Sequence, residues 1–299
     1  MRIKSMELRV RMLMEGFWRG LHRSPYHGFS TEFTEYRPYT PGDDPRQLDW
    51  RLYARSDRYY IKKYEDETNL RCHLLVDQSK SMGYSSLNYT KAQYAGTLAA
   101  TLAYFLHTQG DAIGLITFDD KVSQYMPPRN RPGYLRRLML ALDMKPAGKA
   151  TELKTPLIQV AQKITKRGLV ILISDLLAPI EPLETNLGYL RACGHEVVLF
   201  NILDPAELHF HFDSPAIFQD LESLREMYID PASVKKQYLK KMTTHLASAK
   251  SACRNLGIDY YMVTTDRPFE LALLNFLNDR MRHDKQIRRR GPRSARINT

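Results

Sequence analysis

Two near-continuous aliphatic runs, each ending in an aspartate, constrain the fold of this chain more than any other feature. The first is Leu74-Leu75-Val76-Asp77 and the second is Val170-Ile171-Leu172-Ile173-Ser174-Asp175. Such runs are typical of strands that are buried on both faces, as at the centre of a parallel sheet. They therefore predict two central strands, each with an acidic residue at its end.

The sequence after residue 70 predicts an α/β domain, because short aliphatic runs alternate with longer amphipathic ones. The predicted strands are Leu70–Val76, Ala112–Phe118, Lys121–Tyr125, Leu169–Ser174, Glu196–Leu203 and Ile258–Thr264. The predicted helices are Lys91–Thr108, Tyr134–Leu142, Leu153–Lys166, Pro182–Cys193, Val234–Leu256 and Phe269 to about Arg282. This order of elements predicts a mostly parallel sheet that is flanked by helices.

The chain before residue 70 has a different composition. Apolar residues from Leu8 to Leu21 have nearly helical spacing, and an aromatic, proline-rich segment then runs to about Tyr60. We therefore expect three parts. They are an N-terminal helix and irregular or β segment over residues 1–67, an α/β domain over 68–284 and a basic disordered tail over 285–299.

Composition excludes several classes of protein. With 299 residues, 43% of them hydrophobic, the chain is neither collagenous nor of low complexity. Three well-separated cysteines indicate reduced thiols, and the first residues lack the apolar core of a signal peptide. The longest stretch without Asp, Glu, Lys or Arg, residues 92–110, carries too many polar groups for a membrane span. We expect a cytoplasmic protein without a transmembrane segment.

The net charge of +11 lies mostly at the end of the chain, where residues 280–299 hold eight Lys or Arg and one Asp. The segment from Arg288 to Arg296 has no apolar periodicity and is most simply a solvated arm. Nucleic-acid binding through this arm stays open as an alternative. The absence of a nucleic-acid fold signature beside the aromatic residues argues against it as the main function.

Oxygen-bearing side chains follow both aspartate-ending strands. Asp77, Ser79 and Ser81 alternate in one loop, and Thr151 precedes a predicted helix. Ligands of open α/β sheets bind beyond the carboxyl ends of strands, where Asp175 also lies. Carboxylates and hydroxyls suit Mg²⁺ or Mn²⁺ better than zinc. The alternative is a helix-capping loop, since Ser and Asp are favoured at helix N-termini.

These residues resemble the metal-ion-dependent adhesion site of von Willebrand factor A (VWA) domains, in which Asp-x-Ser-x-Ser is followed by a threonine and a second aspartate. The resemblance implies a VWA-like, Rossmann-like fold. It also implies that Asp77, Ser79, Ser81, Thr151 and Asp175 are direct or water-mediated ligands of one ion. No position of the pattern is missing.

A second resemblance begins upstream. The run Arg37-Pro38-Tyr39-Thr40-Pro41-Gly42-Asp43-Asp44-Pro45-Arg46-Gln47-Leu48-Asp49-Trp50, followed by Ala54-Arg55, is similar to the signature of the bacterial family called domain of unknown function 58. Members carry a VWA-like domain after this segment, and many begin with membrane helices, which this chain lacks. Their genes commonly neighbour a MoxR-type AAA+ ATPase, so the resemblance implies an ATPase partner.

The charged residues of that signature have two interpretations. They could form a salt-bridged platform that holds the segment to the α/β domain, or a docking face for the partner ATPase. The candidate partner-binding residues are Arg37, Asp43, Asp44, Arg46, Asp49, Trp50 and Arg55. We favour the structural interpretation, because packing of the segment would by itself account for such charged residues.

The expected function is non-enzymatic, metal-dependent protein binding. A cation held by hydroxyls and few carboxylates keeps positive charge, so an Asp or Glu of a partner could complete its coordination. Ala150 stands where a phosphate-binding loop needs a hydroxyl, which argues against ATP hydrolysis. The enzymatic alternative is a Mg²⁺-dependent phosphatase with Asp77 as nucleophile.

Overall fold

A six-stranded sheet carries Asp77 and Asp175 at the carboxyl ends of two central strands. The structure is a computed structural model that describes residues 6–22, 35–40, 53, 55, 59–63, 70–143, 153–212, 214–219, 226–268, 270–277 and 279–280. The strands are β1 Glu35–Pro38, β2 Tyr60–Lys63, β3 Arg71–Asp77, β4 Ala112–Phe118, β5 Val122–Arg129, β6 Leu169–Ser174, β7 Glu196–Leu203, β8 Ala216–Gln219, β9 Glu226–Ile229 and β10 Asp259–Thr264.

Helices connect most of these strands. They are α1 Met6–His22, α2 Lys91–Thr108, α3 Tyr134–Leu142, α4 Lys154–Lys163, α5 Ile180–Ala192, α6 Pro205–His209 and α7 Pro231–Asn255, with a 3₁₀ turn over Lys80–Gly83. Residues 270–277 and 279–280 are also helical. None of the helices in the described part of the chain is long and apolar enough to cross a membrane.

The order of the six-stranded sheet is β10-β7-β6-β3-β4-β5. Five strands are parallel, and β5 pairs antiparallel with β4 at one edge. Numbered along the chain within this sheet, the order is 3-2-1-4-5-6, which is that of the doubly wound Rossmann fold. The predicted α/β, VWA-like fold with a mostly parallel sheet is confirmed.

The sheet is buried on both faces. Every residue of β6 is buried, as expected for a central parallel strand. Leu75, Val170 and Leu199 belong to one buried cluster with leucines of α4 and α5. Successive residues of a strand point to opposite faces of the sheet. The strand residues next to these three therefore face the other side, on which α2 contacts β3 and β4.

The chain forms two compact units, one of residues 1–15 with 70–299 and one of residues 16–69. In the first unit, the side chains of Met6, Val10 and Met14 are buried at helical spacing. In the second, β1 and β2 pair antiparallel, and the rings of Tyr53 and Tyr59 stack at 4.5 Å. The predicted domain boundaries after residues 67 and 284 stay predictions.

Several predicted elements are confirmed at both ends, and others need correction. The strands β4, β6 and β7 and the helices α2 and α3 have the predicted bounds. β5 runs on to Arg129 instead of ending at Tyr125, and α7 begins at Pro231 instead of Val234. The predicted irregular or β segment within residues 1–67 contains the β1–β2 pair, and the β8–β9 ribbon was not predicted.

Candidate functional site

The candidate site lies at the carboxyl ends of β3 and β6. These parallel strands are neighbours, with Val76 opposite Ile173. The chain leaves β3 for β4 on one side, whereas β6 begins the other half of the sheet, so the connections diverge between β3 and β6. This is the topological switch point at which open α/β sheets bind ligands. Asp77 ends β3 and Asp175 follows β6, so both carboxylates lie at this point.

The fully buried carboxylate of Asp77 organises the first loop. Its Oδ1 accepts a hydrogen bond from the backbone N–H of Ser79 at 2.9 Å, and its Oδ2 accepts one from the hydroxyl of Ser174 at 2.6 Å. The loop then enters the 3₁₀ turn, where the Oγ atoms of Ser79 and Ser81 lie 3.0 Å apart. Two hydroxyls therefore face each other beside a buried carboxylate.

This spacing fits the coordination of one small divalent cation. Two oxygens that each lie 2.0–2.1 Å from Mg²⁺, at right angles, are separated by about 3.0 Å. Ser79 and Ser81 have this separation, and the Asp77 carboxylate has lone pairs beyond those that its hydrogen bonds use. Among the described residues, no three His, Cys, Asp or Glu side chains form a metal-binding group. The candidate site therefore depends on hydroxyl oxygens, which favour Mg²⁺ or Mn²⁺ over zinc.

Asp175 is buried and already has protein partners on both oxygens. Its Oδ2 accepts a hydrogen bond from Nζ of Lys91 at 2.8 Å, and its Oδ1 accepts one from the backbone N–H of Leu177 at 3.3 Å. Between them, Leu176 has a left-handed backbone with φ of 54°. A non-glycine residue in this region costs about 1–2 kcal/mol. The chain is therefore held in a strained turn where it presents Asp175.

Lys91 and Glu207 belong to the site, and the sequence analysis missed both. The Lys91 side chain is 0% exposed, and its Nζ lies 2.6 Å from Oε1 of Glu207 on α6. Asp204 caps α6 and is also fully buried, accepting hydrogen bonds from the N–H and the hydroxyl of Ser86. In the described part of the chain, Lys91 is the one cation that pairs with this group of carboxylates.

Burial and the concentration of charge at this site shift the pKa of Asp77 and that of Lys91. Burial, and then the charge of Asp175, raise the pKa of Asp77, although hydrogen bonds from Ser174 and Ser79 oppose the shift. Burial alone would lower the pKa of Lys91, but the charges of Asp175 and Glu207 outweigh it and raise that pKa above its ordinary value. A bound divalent cation would compensate the remaining negative charge.

Four of the five predicted ligands lie among the described residues, and the structure brings Asp77, Ser79 and Ser81 together. Thr151 lies outside the described residues, so all five assignments stay predictions. Of the signature segment, Arg37 lies in β1 and Arg55 is exposed. The candidate partner-binding residues of that segment that lie outside the described part of the chain are Asp43, Asp44, Arg46, Asp49 and Trp50. The basic arm from Arg288 to Arg296 also lies outside it.

The sequence did contain a signal for Lys91. It is the first residue of α2, directly before the long uncharged stretch of residues 92–110. A cation at a helix N-terminus is opposed by the positive end of the helix dipole. A lysine at the start of a buried helix therefore indicates carboxylate partners from elsewhere in the fold.

The chain is similar to proteins and structures from several sources. It is 26% identical to an uncharacterized protein of Mycobacterium tuberculosis, Rv1480, over 94% of this chain and 89% of the relative. The conserved hypothetical protein BatB from Bacteroides thetaiotaomicron superposes with a TM-score of 0.46 at 14% identity, over 70% of this chain and 98% of the other. The SpRpn10 VWA domain superposes with a TM-score of 0.39 at 14% identity, over 70% of this chain and 95% of that domain.

The family comparison covers both compact units. Residues 35–248 match the family described as Protein of unknown function DUF58, from the β1 strand into helix α7. The matched range includes the signature segment after Arg37 and all five candidate ligands from Asp77 to Asp175. Because the match spans most of the chain, this protein belongs to the DUF58 family.

Proposed function

We propose that this chain is a non-enzymatic adaptor that binds proteins through Mg²⁺ or Mn²⁺, held by Asp77, Ser79, Ser81, Thr151 and Asp175. The 3.0 Å separation of the Ser79 and Ser81 hydroxyls, beside the buried Asp77, carries the proposal. When bound, the cation supplies positive charge and an open coordination position for an Asp or Glu of the partner. The hydrogen bonds of Asp77 to Ser79 and Ser174 hold the loop in the binding conformation.

The proposed partner is a MoxR-type AAA+ ATPase, which the adaptor would serve in the assembly or maturation of a protein complex. Family membership supports this part of the proposal. The segment from Arg37 to Arg55 is the alternative docking face. The proposed location is the cytoplasm, which is supported by free cysteines at Cys72, Cys193 and Cys253.

The first test is capture of the purified ATPase by the immobilised chain. We expect capture with Mg²⁺ and its loss with EDTA. Asp77→Ala should weaken both Mn²⁺ binding and capture by roughly tenfold or more, because it removes the carboxylate that orders the loop. The readouts are the captured fraction and isothermal titration calorimetry with MnCl₂.

The matched control is Asp119→Ala. Asp119 follows the adjacent strand β4, but within the described residues its Oδ1 accepts hydrogen bonds from its own loop, from Lys121 N–H and Ser123 Oγ at 3.2 Å each. We expect wild-type capture from this variant. Ser79→Ala keeps the Asp77 carboxylate and should still lose affinity for Mn²⁺. Capture that is unchanged by EDTA in the wild type would show that the adaptor proposal is wrong.

The phosphatase alternative makes a separate prediction. A nucleophilic carboxylate must reach the phosphorus atom of a bulky ester, which needs more room than a single cation does, but Asp77 is fully buried and both of its oxygens accept hydrogen bonds. We therefore expect no Mg²⁺-dependent hydrolysis of 4-nitrophenyl phosphate above that of Asp77→Asn. Release of 4-nitrophenolate, followed by absorbance, checks this. Turnover that the wild type shows and Asp77→Asn lacks would establish the enzymatic reading.

A further inference from the structure

The ion pairs of the buried Lys91 with the buried Asp175 and the partly buried Glu207 have no assigned role in the proposed binding function. Nζ of Lys91 lies 2.8 Å from Asp175 Oδ2 and 2.6 Å from Glu207 Oε1. The partners come from distant parts of the chain, since Asp175 follows β6 and Glu207 lies in α6. These ion pairs therefore link the candidate metal site to the loop that follows β7.

A buried lysine needs a reason, because taking an ammonium group out of water is costly unless it is paired. The helix that carries Lys91 does not supply one, since a cation at the first position of α2 opposes the helix dipole. The compensation comes from the two carboxylates. The ammonium group of Lys91 thus lies next to Asp175 and supplies the positive charge that a small cation would supply there.

The pairing changes what Asp175 offers to a ligand. Oδ2 faces the ammonium group, and Oδ1 accepts the N–H of Leu177. The negative charge of Asp175 is therefore largely balanced before a divalent ion binds. Any cation beside Asp77 also meets the positive charge of Lys91, in a buried environment where screening by water is weak.

We propose that Lys91 is a resident counter-ion that limits the affinity of the Asp77 site for Mg²⁺ and Mn²⁺. This inference rests on the proposed metal binding. Lys91 is a positioning residue and not a ligand, because it acts by pairing with Asp175 and by the charge that it places beside the ion. Glu207 moderates the effect: its carboxylate shares the ammonium group, and its main-chain oxygen accepts a hydrogen bond from the hydroxyl of Tyr238 at 2.9 Å.

The inference predicts an order of affinities that a merely structural role would not produce. Lys91→Met removes the competing charge and should bind Mn²⁺ roughly tenfold or more tightly than the wild type. Glu207→Gln removes the carboxylate that shares the Lys91 ammonium group, so that the full positive charge acts beside Asp175. This variant should bind Mn²⁺ more weakly than the wild type. Loss of packing or of order at the site would weaken binding in both variants. Calorimetric titration of each purified variant with MnCl₂ and MgCl₂ measures the order.

Lys80→Met is the matched control. Lys80 lies in the same Asp77–Ser81 loop but is partly exposed, and no ion pair among the described residues includes it. Because water and salt screen its charge, its removal should change Mn²⁺ affinity by less than about threefold. If Lys91→Met fails to fold, Lys91→Met with Glu207→Gln replaces it, and this pair should bind at least about tenfold more tightly than Glu207→Gln alone.

The outcomes separate the two proposals. Equal or weaker Mn²⁺ binding after removal of Lys91, with clear binding by the wild type, overturns the counter-ion role and leaves the metal site standing. Binding by Lys91→Met with none by the wild type supports the counter-ion role. Absence of binding from every variant at about 10 mM ion, beyond the weakest range of protein sites, overturns both.

Discussion

Metal-free Lys91→Met is expected to lose about 3–5 kcal/mol of its free energy of unfolding, because the substitution leaves the buried Asp175 and the partly buried Glu207 without their cation. Removal of one partner of a buried ion pair has this large effect because the remaining charges keep their desolvation cost. Urea unfolding in EDTA, followed by far-ultraviolet circular dichroism, measures it. A loss below about 1 kcal/mol would show that the three groups are not coupled as the structure has them.

A double-mutant cycle isolates the coupling from the loss of packing. Lys91→Met combined with Glu207→Gln should be more stable than the sum of the two single changes predicts, since only Asp175 then lacks a partner. Mn²⁺ should restore more stability to Lys91→Met than to the wild type. Tenfold tighter binding adds about 1.4 kcal/mol at saturating ion concentrations. The same variants therefore report on stability without ion and on affinity with it.

The central strand β6 could be predicted to the residue because its sequence pattern is typical of a buried parallel strand. Leu169–Ile173 is aliphatic throughout, every residue of the strand is buried, and glycine precedes it. The helix Lys91–Thr108 also has the predicted bounds, and the structure shows that a Thr90–Gln93 capping box fixes its start. In these elements, local pattern and tertiary burial agree.

Element ends were missed where the local chemistry was overlooked or where position in the sheet decides. Asp230 caps α7 and is followed by proline, a start signal three residues before the predicted one. β5 continues through Pro127 and Pro128 because it is the edge strand, where a missing N–H need not break a ladder. The β8–β9 ribbon has exposed apolar side chains, and so gives no alternation to recognise.

In the candidate site, too, residues that are close in the sequence were predictable and contacts between distant residues were not. Asp77, Ser79 and Ser81 lie within five residues of each other, so their spacing alone indicated a cluster. The partners of Lys91 are 84 and 116 residues away, and only the sheet order brings them together. The cluster of oxygen atoms was therefore predictable from local spacing. The position of Lys91 carried a signal as well, but its partners could be identified only from the order of the sheet.

Gly168→Ala is expected to destabilise the protein by about 3 kcal/mol or more, as overpacking against backbone does in a close-packed core. Gly168 directly precedes β6, and a Cβ atom there would lie 2.2 Å from the carbonyl oxygen of Arg71 at the start of β3. The clash is with main chain, which cannot rotate away. Gly168 cannot retreat easily either, because its carbonyl oxygen accepts the N–H of Glu196 from β7.

Gly188→Ala is the matched control for this change. Gly188 lies inside α5, where a Cβ atom would make an ordinary contact of 3.4 Å with Leu256, and alanine favours a helix over glycine by up to about 1 kcal/mol. The same substitution should therefore stabilise at one position and destabilise at the other, as urea unfolding would show. Since β3 and β6 carry Asp77 and Asp175, Gly168→Ala should also weaken Mn²⁺ binding, whereas Gly188→Ala should not. Wild-type stability in Gly168→Ala would contradict the close pairing of β3 and β6 on which the geometry of the site depends.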